Sequence, residues 1–164
     1  MTWLITPAIG SVVGWGMGAV LSVSPVLAQA KIPPADSLSQ TLKDQAQSLL
    51  VNLTTDDTWA ATMAITMATK AAQQSDQPVI LFLSVRGVYI ADRERLPATE
   101  GNSDLNIHEK LQALVAAGGQ VIACPNCAGE AGLTQADLVD GVILGEPGVV
   151  LPLLLDANTA TLSF

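Results

Sequence analysis

The sequence predicts an α/β domain in which a mostly parallel sheet of five strands carries helices on both faces. Short apolar runs alternate along the chain with segments whose apolar residues recur at helical spacing. The run at 78–83, Pro-Val-Ile-Leu-Phe-Leu, is continuously apolar, as in a parallel strand that is covered on both faces. Strands that alternate with helices pair in parallel through crossover connections, so the expected arrangement is flavodoxin-like.

Residues 1–30 form a separate segment, because all the charged residues of the chain, 7 basic and 15 acidic, lie after Ala30. The segment is apolar and ends in Pro25-Val26-Leu27-Ala28-Gln29-Ala30, an A-x-A pattern that predicts a signal peptide cleaved before Lys31. It departs from that pattern in having no Lys or Arg before the apolar stretch. Its length and three evenly spaced glycines also fit an uncleaved membrane anchor. Both interpretations predict an exported domain, in the periplasm or an equivalent extracytoplasmic compartment, or anchored and facing outside.

Residues 31–47 are predicted to be a polar spacer, since Pro33-Pro34 is followed mainly by Ser, Gln, Asp and Lys. Residues 48–164 are then long enough for one domain with its own core. The net charge of −8 falls on the chain after Ala30 and argues against nucleic acid as a partner. Membrane contact is expected only if the segment 1–30 is retained. No phosphate-binding glycine loop is present, and no cofactor is predicted.

The predicted elements follow the local apolar patterns and the capping signals. In the first half, they are a strand at 48–53, N-caps within Thr54-Thr55-Asp56-Asp57, a helix with apolar residues from Trp59 to Ala71, a strand at 78–83, a short apolar segment at 88–91 and a polar loop at 92–103. In the second half, they are a helix from about 104 to Gly118-Gly119, a strand at 120–123, a short helix beginning at Thr134, a strand at 142–144, a helix at 149–155 and a strand at 159–164.

The first helix is predicted to pack on the sheet through one small-residue-rich face. That face consists of Trp59, Ala60, Met63, Ala64, Met67, Ala68 and Ala71. A stripe of Met and Trp can also mark a cofactor site, but core packing is the ordinary role of such a stripe.

Two cysteines, Cys124 and Cys127, form a C-x-x-C at the end of the third predicted strand, and the chain has no others. At this spacing two thiols can form a disulfide, carry sulfur as a persulfide or supply half of a metal site. A disulfide that closes so short a loop contributes little stability. A structural zinc site needs four ligands, and one chain offers only these thiols and His108, so no metal site is predicted within one chain.

Polar residues follow several of the predicted strands and are expected to meet at one edge, because sites in parallel sheets lie outside the carboxyl ends of the strands. They are Thr55, Asp56, Asp57, Arg86 and Glu146. Each has an ordinary alternative role: helix capping for the aspartates and a solvated surface position for the arginine. His108, in the first turn of the second helix, is also more typical of a solvated or locally bonded residue than of a catalyst.

Four stretches in this order resemble the DsrE/DsrF-like family, which includes DsrE/TusD-like sulfur-relay proteins. They are Val51-Asn52-Leu53-Thr54-Thr55-Asp56-Asp57, Phe82-Leu83-Ser84-Val85-Arg86-Gly87-Val88, His108-Glu109-Lys110-Leu111 and the segment 121–133. The resemblance implies a flavodoxin-like domain, assembly into homotrimers or hexamers, and a persulfide-carrying cysteine at the position of Cys124. Cys127 has no counterpart in those relay members, and an export signal is foreign to a cytoplasmic relay.

The leading hypothesis is an exported sulfur-handling or thiol-redox protein rather than a conventional turnover enzyme. Cys124 would be the nucleophile or persulfide carrier, and Cys127 the resolving thiol. Thr55, Asp56, Asp57, Arg86 and Glu146 would line the pocket, and a protein would donate or accept the sulfur. The alternative is a non-catalytic oligomeric binding module with a structural disulfide or a metal site between subunits.

Overall fold

The structure, a computed structural model, describes residues 48–164 apart from positions 147 and 149. The predicted signal peptide or membrane anchor at 1–30 and the spacer at 31–47 lie outside the described residues. Within the described part, no helix is long and apolar enough to span a bilayer.

Strands and helices alternate along the described chain as the sequence predicts. The elements are β1 (Ser48–Leu53), α1 (Thr58–Gln74), β2 (Val79–Leu83), a 3₁₀ turn (Val85–Ala91), α2 (Ile107–Ala116), β3 (Gln120–Ala123), α3 (Pro125–Glu130), a second 3₁₀ turn (Gln135–Asp137), β4 (Val142–Leu144), α4 (Val150–Leu155) and β5 (Thr159–Ser163). All pairings in the sheet are parallel, in the order β4-β3-β2-β1-β5. The predicted α/β, flavodoxin-like class is confirmed, with β2 at the centre of the sheet.

The carboxyl ends of four neighbouring strands are level with one another. Leu53 pairs with Leu83, Leu83 with Ala123, and Ala123 with Leu144, each the last residue of its strand. The residues that follow these strands therefore emerge along one edge of the sheet, which is where ligand sites of parallel sheets form.

The two faces of the sheet are covered by different helices. On one face the strand side chains join a core with buried residues of α1 and α2, such as Ala64 and Leu111. On the other face Leu50, Ile80 and Ile122 are buried, with Val150 and Leu153 of α4 packed against them. This follows from right-handed crossovers, because the chain moves from β1 to β4 in one direction and α4 returns it to β5 beside β1.

The predicted packing face of α1 is wrong for its large residues. The buried residues of this helix are Ala61, Ala64, Ile65 and Ala68. Trp59, Met63 and Met67 point outward, with 60%, 42% and 44% of their surfaces exposed. We call these three residues the α1 stripe. Apolar residues occur all around this alanine-rich helix, so their spacing does not select a single face for burial. The face with small side chains is the buried one because it allows the closest approach to the sheet.

Gly87 lies in the turn after β2, where it packs against the backbone of β1. A Cβ atom at this position would overlap the carbonyl oxygen of Leu53. Gly87→Ala should therefore lower the free energy of unfolding by about 2 kcal/mol or more, because backbone cannot yield as a flexible side chain can.

The matched control is Gly129→Ala in α3, where a Cβ meets no heavy atom within 4 Å. This change should raise the free energy of unfolding by up to about 1 kcal/mol, since Ala is the better helix former. Urea unfolding of both variants measures the difference. Equal stabilities for the two variants would show that the contact between Gly87 and Leu53 is not tight.

Candidate functional site

The two cysteines lie on one helical turn at the carboxyl edge of the sheet. The backbone N–H of Cys124 donates to the carbonyl of Leu83 at 2.8 Å, which continues the pairing of β3 with β2 past the end of the strand. Cys124 is the N-cap of α3 and Pro125 begins the helix, a position that proline favours. Cys127 follows in the first turn. Both thiols are free and partly buried, and both belong to the start of the same helix.

Val85, the first residue of the turn after β2, holds one of these thiols. Its backbone N–H donates to Sγ of Cys127 at 3.1 Å. The residue adopts a φ of +51°, a left-handed conformation that is rare for a β-branched side chain. The turn is anchored by the N–H of Arg86, which donates to the carbonyl of Thr54 at 3.1 Å. Sequence reasoning missed this contact because a valine carries no sign of positive φ.

The environment of Cys127 keeps its thiol protonated. Burial raises its pKa, and the neighbouring Cys124 raises the pKa further. The N–H of Val85 acts in the opposite direction, because it stabilises a negative sulfur. Cys127 therefore favours its protonated form, and its sulfur accepts the N–H of Val85.

Asp56 and Arg86, both predicted to line the site, bind each other. Nε of Arg86 donates to Oδ1 of Asp56 at 2.9 Å and Nη2 donates to Oδ2 at 2.8 Å, a bidentate pair. Arg95 adds a bond from Nη1 to Oδ2 at 3.0 Å. The hydrogen bonds from Arg86, and then the single bond from Arg95, hold the pKa of the Asp56 carboxyl well below its usual range.

Tyr89 supports both guanidinium groups of this cluster. The Cζ atoms of Arg86 and Arg95 lie 5.4 and 5.9 Å from the centre of its ring, within the range of a cation–π contact. Arg86 is therefore held in place by a carboxylate on one side and an aromatic ring on another, next to the thiols.

These groups surround a groove of about 340 Å³ that opens beside the cysteine pair. It is lined by Val85, Arg86, Tyr89, Cys127, Glu130 and Ala131. We call it the thiol groove. It combines a thiol with one basic and one acidic side chain, which can contact a charged substrate. Glu130 was not predicted, although its position three residues after Cys127 places the two on the same side of α3.

Three other predicted site residues do not line the thiol groove. Asp57 caps α1, since its Oδ1 accepts the N–H of Ala60 at 2.9 Å, and Oγ1 of Thr55 accepts the N–H of Asp57 at 3.1 Å. Both residues therefore hold the start of the helix next to Asp56. Glu146 follows β4, is exposed and is not among the residues that line the thiol groove.

His108 lies in the first turn of α2, half-buried, in a smaller groove with Tyr89 and Arg95. Burial lowers its pKa, while Asp92 acts in the opposite direction. Within residues 48–164, apart from the two positions left out, no three His, Cys, Asp or Glu side chains converge as a metal site requires.

Comparisons with known proteins place the chain in a family and in a fold. A model of the DsrE/DsrF-like family matches residues 47–160. The solved structure of the ychN protein of E. coli is similar, with 22% identity and a TM-score of 0.57 over 73% of this chain and 99% of that one. A protein of unknown function from Methanobacterium thermoautotrophicum, MTH1491, is 18% identical, with a TM-score of 0.56 over 71% and 98% of the two chains.

A third similar structure is a conserved protein of unknown function from Bacteroides thetaiotaomicron, BT1422. It is 16% identical, with a TM-score of 0.56 over 72% of this chain and 95% of that one. No curated protein matches the chain. At these identities the solved structures show the fold alone.

Replacing Asp56 with Asn should destabilise the protein at neutral pH. The change removes a largely buried carboxylate, 15% exposed, from two guanidinium groups, so the free energy of unfolding at pH 7 should fall by about 1 kcal/mol. Because folding lowers the pKa of Asp56, the stabilisation is complete above the unfolded pKa of about 3.9 and declines as the pH falls further.

Asp140→Asn provides the matched control, since its ion pair with Arg93 is equally short at 2.8 Å but the Asp140 side chain is 85% exposed. It should change stability by less than about 0.5 kcal/mol. Denaturant unfolding at pH 7 and at pH 3 measures both variants. A difference between wild type and Asp56→Asn that grows on acidification would contradict the assigned pKa direction.

Proposed function

The chain belongs to the DsrE/DsrF-like family, and from that membership we propose that it handles sulfane sulfur or exchanges disulfides through Cys124 and Cys127. One observation carries the proposal: two free thiols share a helical turn beside an open groove with charged walls. The family match at 47–160 includes both thiols and the groove. Family membership supports a sulfur-relay or redox role, and the geometry supports the residues that perform it.

Cys124 is the nucleophile in this proposal and Cys127 is the resolving thiol. The support is twofold. The family resemblance implies a persulfide-carrying cysteine at the position of Cys124, and burial raises the pKa of the Cys127 thiol, which disfavours its thiolate. The Cys124 thiolate attacks the outer sulfur of a donor R–S–SH. A new S–S bond forms on Cys124, the S–S bond of the donor breaks, and the donor leaves as a thiolate that takes up a proton.

Release of the sulfur uses the second thiol. The Cys127 thiol gives up its proton and attacks Sγ of Cys124, so that a disulfide closes between the two residues and HS⁻ leaves. A dithiol reductant from outside the protein then reopens the disulfide and is itself oxidised. Alternatively, an acceptor thiolate takes the outer sulfur directly, and the pair remains reduced. Asp56 and Arg86 shape the groove in either case, and Thr55 and Asp57 hold the helix start beside them.

The proposal extends to an exported oligomer with a sulfur donor or acceptor protein as its partner. Export is supported by the signal-peptide pattern at 1–30. Assembly into trimers or hexamers is supported by the family resemblance and by the exposed α1 stripe. Its Met and Trp side chains are of the kinds enriched at protein interfaces.

Incubation with inorganic polysulfide should add about 32 Da, the mass of one sulfur atom, to the wild-type protein in intact-mass spectrometry. Cys124→Ser should lose the adduct, since the attacking thiolate is gone. Cys127→Ser should keep the adduct for longer than wild type, because no thiol remains to close the disulfide and release HS⁻.

Cys127→Ser is also the matched control for the loss of one thiol from the turn. Circular dichroism of both variants tests whether they remain folded. A wild-type protein that shows neither the adduct nor a disulfide between the two cysteines, or an unchanged adduct in Cys124→Ser, would overturn the assignment of Cys124 as the carrier.

A further inference from the structure

We propose that the thiol groove binds a small zwitterionic aminothiol that carries sulfane sulfur, with Arg86 at its carboxylate and Glu130 at its ammonium group. This inference rests on the proposed function and names the class of sulfur donor. A persulfide of a free amino acid such as cysteine has the required groups: a carboxylate, an ammonium and a terminal S–SH on a short carbon chain.

Arg86 has positive charge and hydrogen-bond donors that are available to the carboxylate of a ligand. A guanidinium group has five N–H donors, and Asp56 engages Arg86 at Nε and Nη2. Asp56 is also bonded to Arg95, so one carboxylate neutralises only one of two guanidinium charges. The side chain of Arg86 is 65% exposed, which leaves its free face open to a ligand.

Glu130 supplies the opposite charge on another wall of the groove. It is the last residue of α3, it is exposed, and it takes part in none of the ion pairs found between the described residues. Arg86 turns to Asp56 rather than to Glu130, so the two groove charges stay apart. Cys127, which also lines the groove, belongs to the same helix as Glu130.

This pattern of charge favours a zwitterion over a simple anion. The groove offers one net positive cluster and, at Glu130, one carboxylate that repels a simple dianion. A volume of about 340 Å³ accommodates a molecule of amino-acid size. Val85 and Ala131 line the same groove and provide apolar surface for the carbon chain.

The transfer of the outer sulfur from this donor to Cys124 needs no further reactant. The donor rests against Cys127, which shares the first turn of α3 with Cys124, so its outer sulfur comes within reach of the nucleophile. The Cys124 thiolate bonds to that sulfur, the S–S bond of the donor breaks, and the aminothiol leaves with the electron pair and gains a proton from water. The sulfur oxidation level is passed on and no external oxidant is consumed.

The test compares the rates at which the protein is loaded by three donors. They are the persulfides of cysteine, of N-acetylcysteine, which lacks the ammonium, and of cysteamine, which lacks the carboxylate. Inorganic polysulfide serves as a reference without either group. Loading is followed by intact-mass spectrometry. The rate of each variant is divided by the wild-type rate for the same donor, because this ratio removes differences in the intrinsic reactivity of the donors.

Glu130→Gln should slow loading by cysteine and cysteamine persulfides roughly three- to fivefold and leave the N-acetylcysteine donor unchanged, as expected for one exposed ion pair. Arg86→Gln should slow the two carboxylate donors by a similar factor and leave cysteamine persulfide unchanged. Arg93→Gln is the matched control, because Arg93 pairs with Asp140 and is not among the residues that line the groove. It should alter no rate.

Equal effects of Glu130→Gln on all three donors would overturn the zwitterion assignment, as would an Arg86→Gln protein that slows cysteamine persulfide as much as the other two. If wild type is loaded by polysulfide but the variants show no selective effect, only this inference fails. If polysulfide neither loads the wild-type protein nor closes a disulfide between its two cysteines, the proposed function fails and this inference fails with it.

Discussion

The level register of the parallel strands is the constraint on which the rest of this structure depends. Strands β1, β2, β3 and β4 end at paired positions, and the chain leaves each of them at the same edge of the sheet. Asp56, Arg86 and Cys124 are far apart in the sequence, yet each follows such a strand end. A slip of one residue in any pairing would turn that strand's buried side chains to the opposite face and displace its site residue.

The turn after β2 converts this shared edge into a site, because consecutive residues contact different elements. The N–H of Val85 reaches Cys127 on α3, the side chain of Arg86 reaches Asp56 at the end of β1, and Gly87 packs on the backbone of β1. The left-handed conformation of Val85 is the cost of this geometry. The strain persists because the contacts on both sides hold the turn in place.

Local ion pairs set the charge around the cysteines, although the net charge of the whole chain is −8. In the described residues, Arg86, Arg93 and Arg95 each pair with an aspartate. Asp56 receives two of these arginines, so the cluster beside the cysteines keeps a positive charge that composition alone would not suggest. Glu130 balances it across the groove. In the proposed binding of a zwitterion, recognition depends on the spacing of these two charges and not on attraction over long distances.

The sequence by itself determined the order of strands and helices and the place of the thiol pair. These depend on local patterns: the apolar run of β2, the glycines after α2, and a C-x-x-C directly after β3. It also brought Asp56, Arg86 and the cysteines to one edge, because parallel topology alone requires this. Only the tertiary structure decided that Asp56 binds Arg86, that Glu130 lines the groove, that Val85 holds Cys127 and that the α1 stripe faces outward. The three contacts depend on distances between segments that are remote in sequence, and the orientation of α1 depends on a choice between helix faces that are equally apolar. The local sequence pattern determines neither the distances nor the choice of face.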